Sequence, residues 1–504
     1  MSPVKEKNIK SINEASIEYL IPIPASIIPT GNKFKLSKTS KIYFDQSSDE
    51  NESISIYLKN NVNSITGFDL SVLPLEKILE KGNIYLLLQD GINSLGKEGY
   101  ELNISEHSIE IKANSPEGLF RGVQTLVQML FPLKGNINES SNDIYFPTVQ
   151  IKDFPRFSWR GVMLDVARHF FSVNDVKKLI DLISLYKFNH LHLHLTDDQG
   201  WRIEIKSWPK LTEIGGSTQV GGGKGGFYTQ KEYLEIVEHA KKRYITIVPE
   251  IDMPGHTNAA LASYPELNCD GKAPELYTGI KVGFSSLCLD KELTYVFIED
   301  VIKELSALTP GEYIHIGGDE AYATDSIKYI NFIERVQRIV ESNNKKMIGW
   351  EEIAQAKLTQ NSIIQFWRKS DYVKLGLKQG NKIIFSPASK VYMDMKYNPE
   401  TVLGLNWAGY IEISDSYNWD PLDQITDLSE ESILGIEAPL WTETILNFSD
   451  IEFMLFPRLT AVSEIGWSIK HRRNWDYFKV RLSNQGKYWD KIGLNFYRSN
   501  QVNW

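Results

Sequence analysis

Hydrophobic and polar positions alternate along this chain in two different rhythms. Up to about residue 155 the apolar runs "KFKLS", "KIYF" and "NIYLLLQD" read as strands, and "YELNISEHSIEIKA" reads as a hairpin. A helix follows at "SPEGLFRGVQTLVQML". Ser115 suits its N-cap and Pro116 its first turn, and Phe120, Val123, Val127 and Leu130 recur on one face. The pattern predicts a small α+β domain over residues 1–155, ending at the proline-punctuated "FPTVQIKDFPRF". It carries no cluster of chemically reactive side chains, which points to scaffolding or docking.

From Phe157 onward short apolar runs alternate with helical stretches. Eight such runs occur: "RGVMLDVA", "HLHLHLT", "YITIVPEID", "EYIHIGG", "KMIGWEE", "SIIQFW", "NKIIFSP" and "ILGIEAPLW". Strands alternating with helices imply a parallel sheet, and eight of them over residues 156–504 predict an α/β fold of the (β/α)8 TIM-barrel type. A doubly wound open sheet is the rival. The polar residues favour the barrel, because Arg168, Asp197, Glu250, Asp252, Asp319, Glu320, Trp350, Trp367 and Glu443 all follow the apolar part of a run. Barrel active sites are built at that C-terminal strand end. Tryptophan marks the same boundary, since all twelve fall at or after Trp159.

Length and composition change this picture little. With 504 residues, 42% hydrophobic and 24% charged, the chain reads as a soluble globular protein of two or three domains. A net charge of −9 argues against nucleic acid or an anionic membrane as partner. The apolar "YLIPIPASIIP" is too short and too proline-rich to span a bilayer. The N-terminal "MSPVKEKNIKSINEAS" has no apolar core of a signal peptide, as expected of a cytoplasmic protein or of a secreted one whose leader is already removed. Cys269 and Cys288 lie 19 residues apart. Without CxxC spacing or a nearby histidine pair they are poor zinc ligands. They read either as a staple across a long loop or as two free thiols.

Candidate chemistry concentrates in the second part. His190, His192 and His194 share one face of a strand, so a metal-dependent hydrolase using them is a rival function. The alternative is buried histidines bonded to neighbouring strands. The run "GGSTQVGGGKGGFYT" lacks the Lys–Ser/Thr pair of a phosphate-binding loop, and reads as a mobile loop before a helix starting near Tyr228. No GxSxG elbow supports a serine hydrolase. Asp319 and Glu320 are adjacent in "YIHIGGDEAY". Consecutive strand residues point to opposite faces, yet Gly317 and Gly318 permit backbone angles that bring both carboxylates to one mouth. Such a pair supplies a proton donor beside a negative partner. The alternative is a helix N-terminus, where acidic residues are favourable anyway. Trp350, Trp367, Trp407 and Trp441, with Asp394, Glu443 and Arg168, suit a carbohydrate: indole faces meet C–H surfaces while charged groups bond hydroxyls. A sugar-binding protein with an inactive barrel is the remaining alternative, against which the intact carboxylate pair and Tyr392 speak.

The stretches "RGVMLDVARHFF", "HLHLHLTDDQGWRIEI", "PEIDMPGHT", "HIGGDEAY", "YMDMKY" and "APLWTET" resemble family 20 glycoside hydrolases, the β-N-acetylhexosaminidases. The loop "GGGKGGFYT" and "NWAGY" resemble bacterial exo-acting members. The resemblance implies substrate-assisted retention, in which the 2-acetamido oxygen of the substrate attacks the anomeric carbon and no cofactor or metal takes part. It implies Glu320 as general acid and base, Asp319 as partner of the acetamido N–H, and Tyr392 as donor to the acetamido oxygen. It places Trp350, Trp367 and Trp441 around the acetyl group and ring, and Arg168 and Glu443 at the non-reducing hydroxyls. Asp394 and Trp407 fall near the 6-hydroxyl, and Asp197 and His256 form a relay to Glu320. Cys269 and Cys288 fall where some bacterial members have a disulfide.

Overall fold

The computed structural model describes residues 16–76, 80–89, 95–133 and 143–504; the N-terminal stretch read for a leader lies almost wholly outside them. The chain folds as two compact units. In the first, β1 (Ser26–Ser37), β2 (Lys41–Phe44), β3 (Ser71–Pro74), β4 (Asn83–Leu88), β5 (Tyr100–Ile104), β6 (Ser108–Ala113) and β7 (Asp143–Asp153) form one mixed sheet. Its strand order is β1-β7-β5-β6-β4-β2-β3. The hairpin is β5 and β6, paired antiparallel from Tyr100 against Ala113 to Ile104 against Ile109. The helix Pro116–Leu130 starts where Ser115 accepts the Gly118 N–H. Its burial extends beyond one face, taking in Arg121 and Gln124 as well, because the helix packs on β4, β5 and β6 and also against a second helix, Asp49–Thr66, which lies beside it on β2 and β3.

This unit also claims Leu185–Lys187 and Ser463–Trp504, so the chain leaves it and returns, whereas the composition shift suggests a single cut between residues 155 and 156. A buried ion pair ties the returning segments in. The Lys187 ammonium lies 2.8 Å from Asp153 Oδ2, and Asp153 Oδ1 accepts the Trp467 indole N–H at 2.9 Å. The C-terminal helix Trp475–Ile492 adds Trp489, whose indole donates to the Tyr186 hydroxyl at 2.8 Å.

The second unit contains the eight apolar runs, each a strand. These are β8 (Trp159–Asp165), β9 (His190–His194), β12 (Thr246–Glu250), β13 (Tyr313–His315), β14 (Lys346–Trp350), β15 (Ile363–Phe366), β16 (Lys382–Phe385) and β17 (Ile433–Leu440). All pair in parallel, and β17 pairs back onto β8, with Ala438 opposite Val162, which closes a TIM barrel. That pairing removes the open-sheet rival, since no strand edge is left. Between β9 and β12 a two-residue hairpin, β10 (Thr196–Asp197) and β11 (Gly200–Trp201), turns Asp197 inward over the barrel end. Every residue of β8 and β15 is buried, the pattern of parallel strands covered on both faces. Among the described residues no helix is long and apolar enough to cross a membrane.

Candidate active site

The chain just after β13 explains why two adjacent carboxylates face one space. Gly317 and Gly318 have φ of 67° and 94°, a region that residues with a Cβ seldom enter. A Cβ on Gly317 would sit 1.8 Å from Asp252 Oδ1, and one on Gly318 would sit 2.7 Å from Ile353 Cγ2. Only glycine fits. Glu320 itself is held at φ 45°, and His256 at φ 56°. Left-handed backbone at a glutamate is strain of the kind that gathers at functional sites. It rotates the Glu320 side chain onto the same side as that of Asp319. No helix begins here, because the next one, Ser326–Ser342, starts at its cap Asp325.

Both carboxylates line a cavity of about 320 Å³, shared with Arg168, His256, Trp367, Tyr392, Asp394, Trp407, Trp441 and Glu443. These come from the C-terminal ends of β8, β12, β13, β15, β16 and β17 and the loops that follow. The walls are aromatic. Tyr392 and Trp367 lie parallel with ring centres 6.2 Å apart, Trp407 meets both edge-on, and the Arg168 guanidinium lies 4.8 Å from the Trp441 ring centre. Trp407 is 51% exposed and sits at the mouth. Two candidates stand one layer back. Trp350 is buried with its ring 5.9 Å from that of Trp441, and Asp197 sits beneath Arg168 and His256.

Several buried polar atoms here have no hydrogen-bond partner: Asp319 Oδ1, both oxygens of Asp394, and Arg168 Nε. Buried polar groups are nearly always paired, so a cluster of unpaired ones facing a cavity is a site built for a polar ligand. The charges are tuned to match. Burial raises the Asp319 carboxyl to about 6, with Glu320 and Glu250 adding to the shift and His256 opposing it. Burial would raise Asp197 too, but Arg168 and His256 outweigh it and hold that carboxyl well below its usual range. Arg168 Nη2 lies 2.8 Å and His256 Nδ1 3.2 Å from Asp197. Burial disfavours the His256 imidazolium, yet Asp197, Asp252 and Asp319 raise it well above its ordinary value. Its Nε2 lies 3.7 Å from Asp319 Oδ2 and 3.9 Å from Glu320 Oε2. Burial, and then Glu443, push Asp394 well above the carboxylate range. Burial keeps the Tyr392 hydroxyl protonated, so it serves as a donor.

The histidines of β9 do not converge as one ligand set. His190 stacks on Trp159 at 3.7 Å, at the far end of the strand from the cavity. His192 Nδ1 bonds Glu437 at 2.8 Å, and His194 bonds Glu250 and, at 2.9 Å, Asp197. His194 and Asp197 thus carry a hydrogen-bonded chain from the barrel interior up to His256. A metal-dependent hydrolase on this strand finds no support. The glycine-rich loop lies outside the cavity wall. Arg202 ties it down, donating to the carbonyls of Gly216, Thr218 and Gly226, and the Val220 N–H bonds the Arg168 carbonyl, so the loop buttresses the segment that carries Arg168. The helix after it begins at Gln230 behind a Thr229–Glu232 capping box. Cys269 and Cys288 form a disulfide.

Ile280, Val282, Leu405 and Arg368 also line the cavity, and Tyr322 stands beside Glu320; sequence reasoning singles out none of them. Arg368 had a signal, since it directly follows Trp367 at a strand end. Ile280 and Val282 sit in an irregular loop with no periodicity to read.

Sugar hydrolases are the class that a barrel of this kind defines when its strand ends join adjacent carboxylates to a cage of indoles. More narrowly, the chain belongs to glycosyl hydrolase family 20, whose catalytic domain matches residues 157–470 and whose domain 2 matches residues 18–154. A β-N-acetylhexosaminidase of Cellulomonas fimi is 43% identical over 413 residues, covering 81% of this chain and 82% of its own. The solved β-N-acetylhexosaminidase of Streptomyces coelicolor A3(2) superposes with a TM-score of 0.92 at 46% identity, covering 97% of this chain and 99% of that one. A mutant Streptomyces plicatus β-hexosaminidase in complex with its product GlcNAc gives a TM-score of 0.91, also at 46% identity, over 97% of this chain and 98% of that one.

Proposed function

We propose that the protein is a retaining exo-β-N-acetylhexosaminidase, releasing terminal non-reducing β-linked GlcNAc, and GalNAc, through an oxazolinium intermediate. The observation that carries this reading is the buried Asp319 Oδ1 with no partner, beside Glu320 in an aromatic cavity. An acetamido N–H is a donor suited to that oxygen. The relatives named for this activity, and the GlcNAc held by one of them, support the same reading.

In this mechanism Asp319 accepts the acetamido N–H and Tyr392 donates to the acetamido oxygen, which turns that oxygen toward the anomeric carbon. The oxygen attacks as the glycosidic bond breaks, and Glu320 gives its proton to the departing oxygen. The oxazolinium carries positive charge that the Asp319 carboxylate balances. Glu320, now a carboxylate, takes a proton from the water that reopens the ring, so two inversions give retention. No nucleophile is needed across the ring, which is why the two carboxylates can be neighbours in the chain. Arg168 and Glu443 bind hydroxyls of the terminal sugar and Asp394 the 6-hydroxyl, with Trp407 beside it. Trp367 and Trp441 wall the acetyl group, backed by Trp350. His256, held charged by Asp197, supplies the positive partner that faces both carboxylates.

Replacing Glu320 with Gln leaves shape and hydrogen bonding nearly intact but removes the proton. Turnover of a substrate with a poor leaving group should fall about 10³-fold. Near-normal hydrolysis of GlcNAc disaccharide by that variant would remove Glu320 from the reaction.

A further inference from the structure

Two residues hold Glu320 from the side opposite His256. Arg368 lies with its guanidinium 3.8 Å from the Trp367 ring centre, which fixes its direction. Its Nη2 donates to the Tyr322 hydroxyl oxygen at 2.8 Å and reaches Glu320 Oε1 at 3.4 Å. The Tyr322 hydroxyl donates to the same Oε1 at 3.3 Å. Tyr322 is itself placed by a close approach, since a Cβ on Gly283 would meet its Cδ2 at 2.3 Å.

The protons in this group can be assigned from the chemistry of the donors. A guanidinium has no acceptor, so its N–H occupies a lone pair of the tyrosine oxygen, and the single tyrosine proton is left to point at Oε1. Oε1 therefore receives two hydrogen bonds. Oε2, which faces His256 Nε2 at 3.9 Å, is the oxygen with room for a proton.

We infer that Arg368 and Tyr322 form a two-donor clamp that keeps the transferable proton of Glu320 on Oε2 and stabilises the carboxylate left once it has gone. This rests on Glu320 being the acid and base of the reaction. As the Oε2–H bond breaks, the proton passes to the glycosidic oxygen, which keeps the electron pair of its bond to the anomeric carbon. The negative charge then spread over Glu320 meets two donors already aimed at Oε1, so no reorganisation is needed. The other charges facing the group are Asp319 beside it, His256 across it and Glu352 behind Arg368. Both clamp residues stand at the mouth, with the Arg368 side chain 31% exposed and Tyr322 63% exposed, so solvent screens them. About tenfold is the effect to expect, well below that of a fully buried donor.

The test is kcat/KM for a series of phenyl β-N-acetylglucosaminides that differ in leaving-group acidity but little in shape. Tyr322→Phe and Arg368→Met should each lose about tenfold on the unsubstituted phenyl glycoside, where protonation matters most. On the dinitrophenyl glycoside, which departs without help, both should stay within about twofold of the parent. Arg368→Lys, which keeps the charge, should recover part of the loss. Glu320→Gln run on the same series separates the two ideas. If it depends steeply on the leaving group while the clamp variants lose equally across the series, or lose nothing, the clamp is wrong. If Glu320→Gln shows no such dependence, the acid assignment falls and the clamp with it.

Discussion

In the proposed mechanism Asp319 is a buried carboxyl that acts as its carboxylate, and that sets a pH limit. Burial raises it to about 6, so the functional carboxylate is present above that pH and is lost as the pH falls through it. The acid limb of kcat/KM should therefore bend near pH 6, and Asp319→Asn should abolish that bend while lowering kcat about 100-fold. An unchanged acid limb in the variant would assign it to another group. The same shift has an opposite sign for stability: the folded state holds this proton more tightly, so its contribution is complete below the unfolded value of about 3.9 and is lost between there and about pH 6. Asp319, Glu320, Arg168 and Trp367 could be read from the sequence because polar and indole side chains stand at the ends of apolar runs. Ile280 and Val282 could not, since apolar residues in a loop look like any other surface accident. Nor could the proton placement on Glu320, which depends on where Tyr322 and Arg368 meet in space.

The elements differ in how openly they announce themselves. The eight barrel strands are legible because parallel strands covered on both faces become unbroken apolar runs. The helix Asp49–Thr66 is not, because Ile54, Ile56 and Leu58 alternate like a strand, and Ile56 turns out to be 44% exposed. The segment after β13 is set by its glycines. Gly317→Ala should cost roughly 3 kcal/mol, through positive φ and collision with Asp252, and appear as a lowered unfolding midpoint with lost activity. A variant of parental stability would mean that this turn is not held as described. The loop from Cys269 to Cys288 carries Ile280 and Val282 to the cavity, and its disulfide closes a separation of 19 residues. Replacing both cysteines with serine should cost about 3 kcal/mol in a denaturant titration and raise KM more than it lowers kcat. A change in kcat alone would contradict that role for the loop.

For the whole molecule the sequence shows two regions but not their interleaving. Trp467 and Asp153 are 314 positions apart, and nothing local to either marks the other as a partner. A buried lysine such as Lys187 is the trace that such a pairing leaves, and it becomes meaningful only beside its carboxylate. Function is more legible than domain allegiance, because the catalytic motifs are local and ordered along the barrel. Release of nitrophenol should be measured from the β-GlcNAc glycoside and the β-glucoside, each with and without EDTA. Hydrolysis of the acetamido sugar alone, unaffected by EDTA, is the result expected if the substrate supplies its own nucleophile, with Asp319 orienting it and Glu320 protonating the leaving oxygen. Equal cleavage of both sugars would contradict the acetamido mechanism, and loss of activity with EDTA would return attention to the histidines of β9.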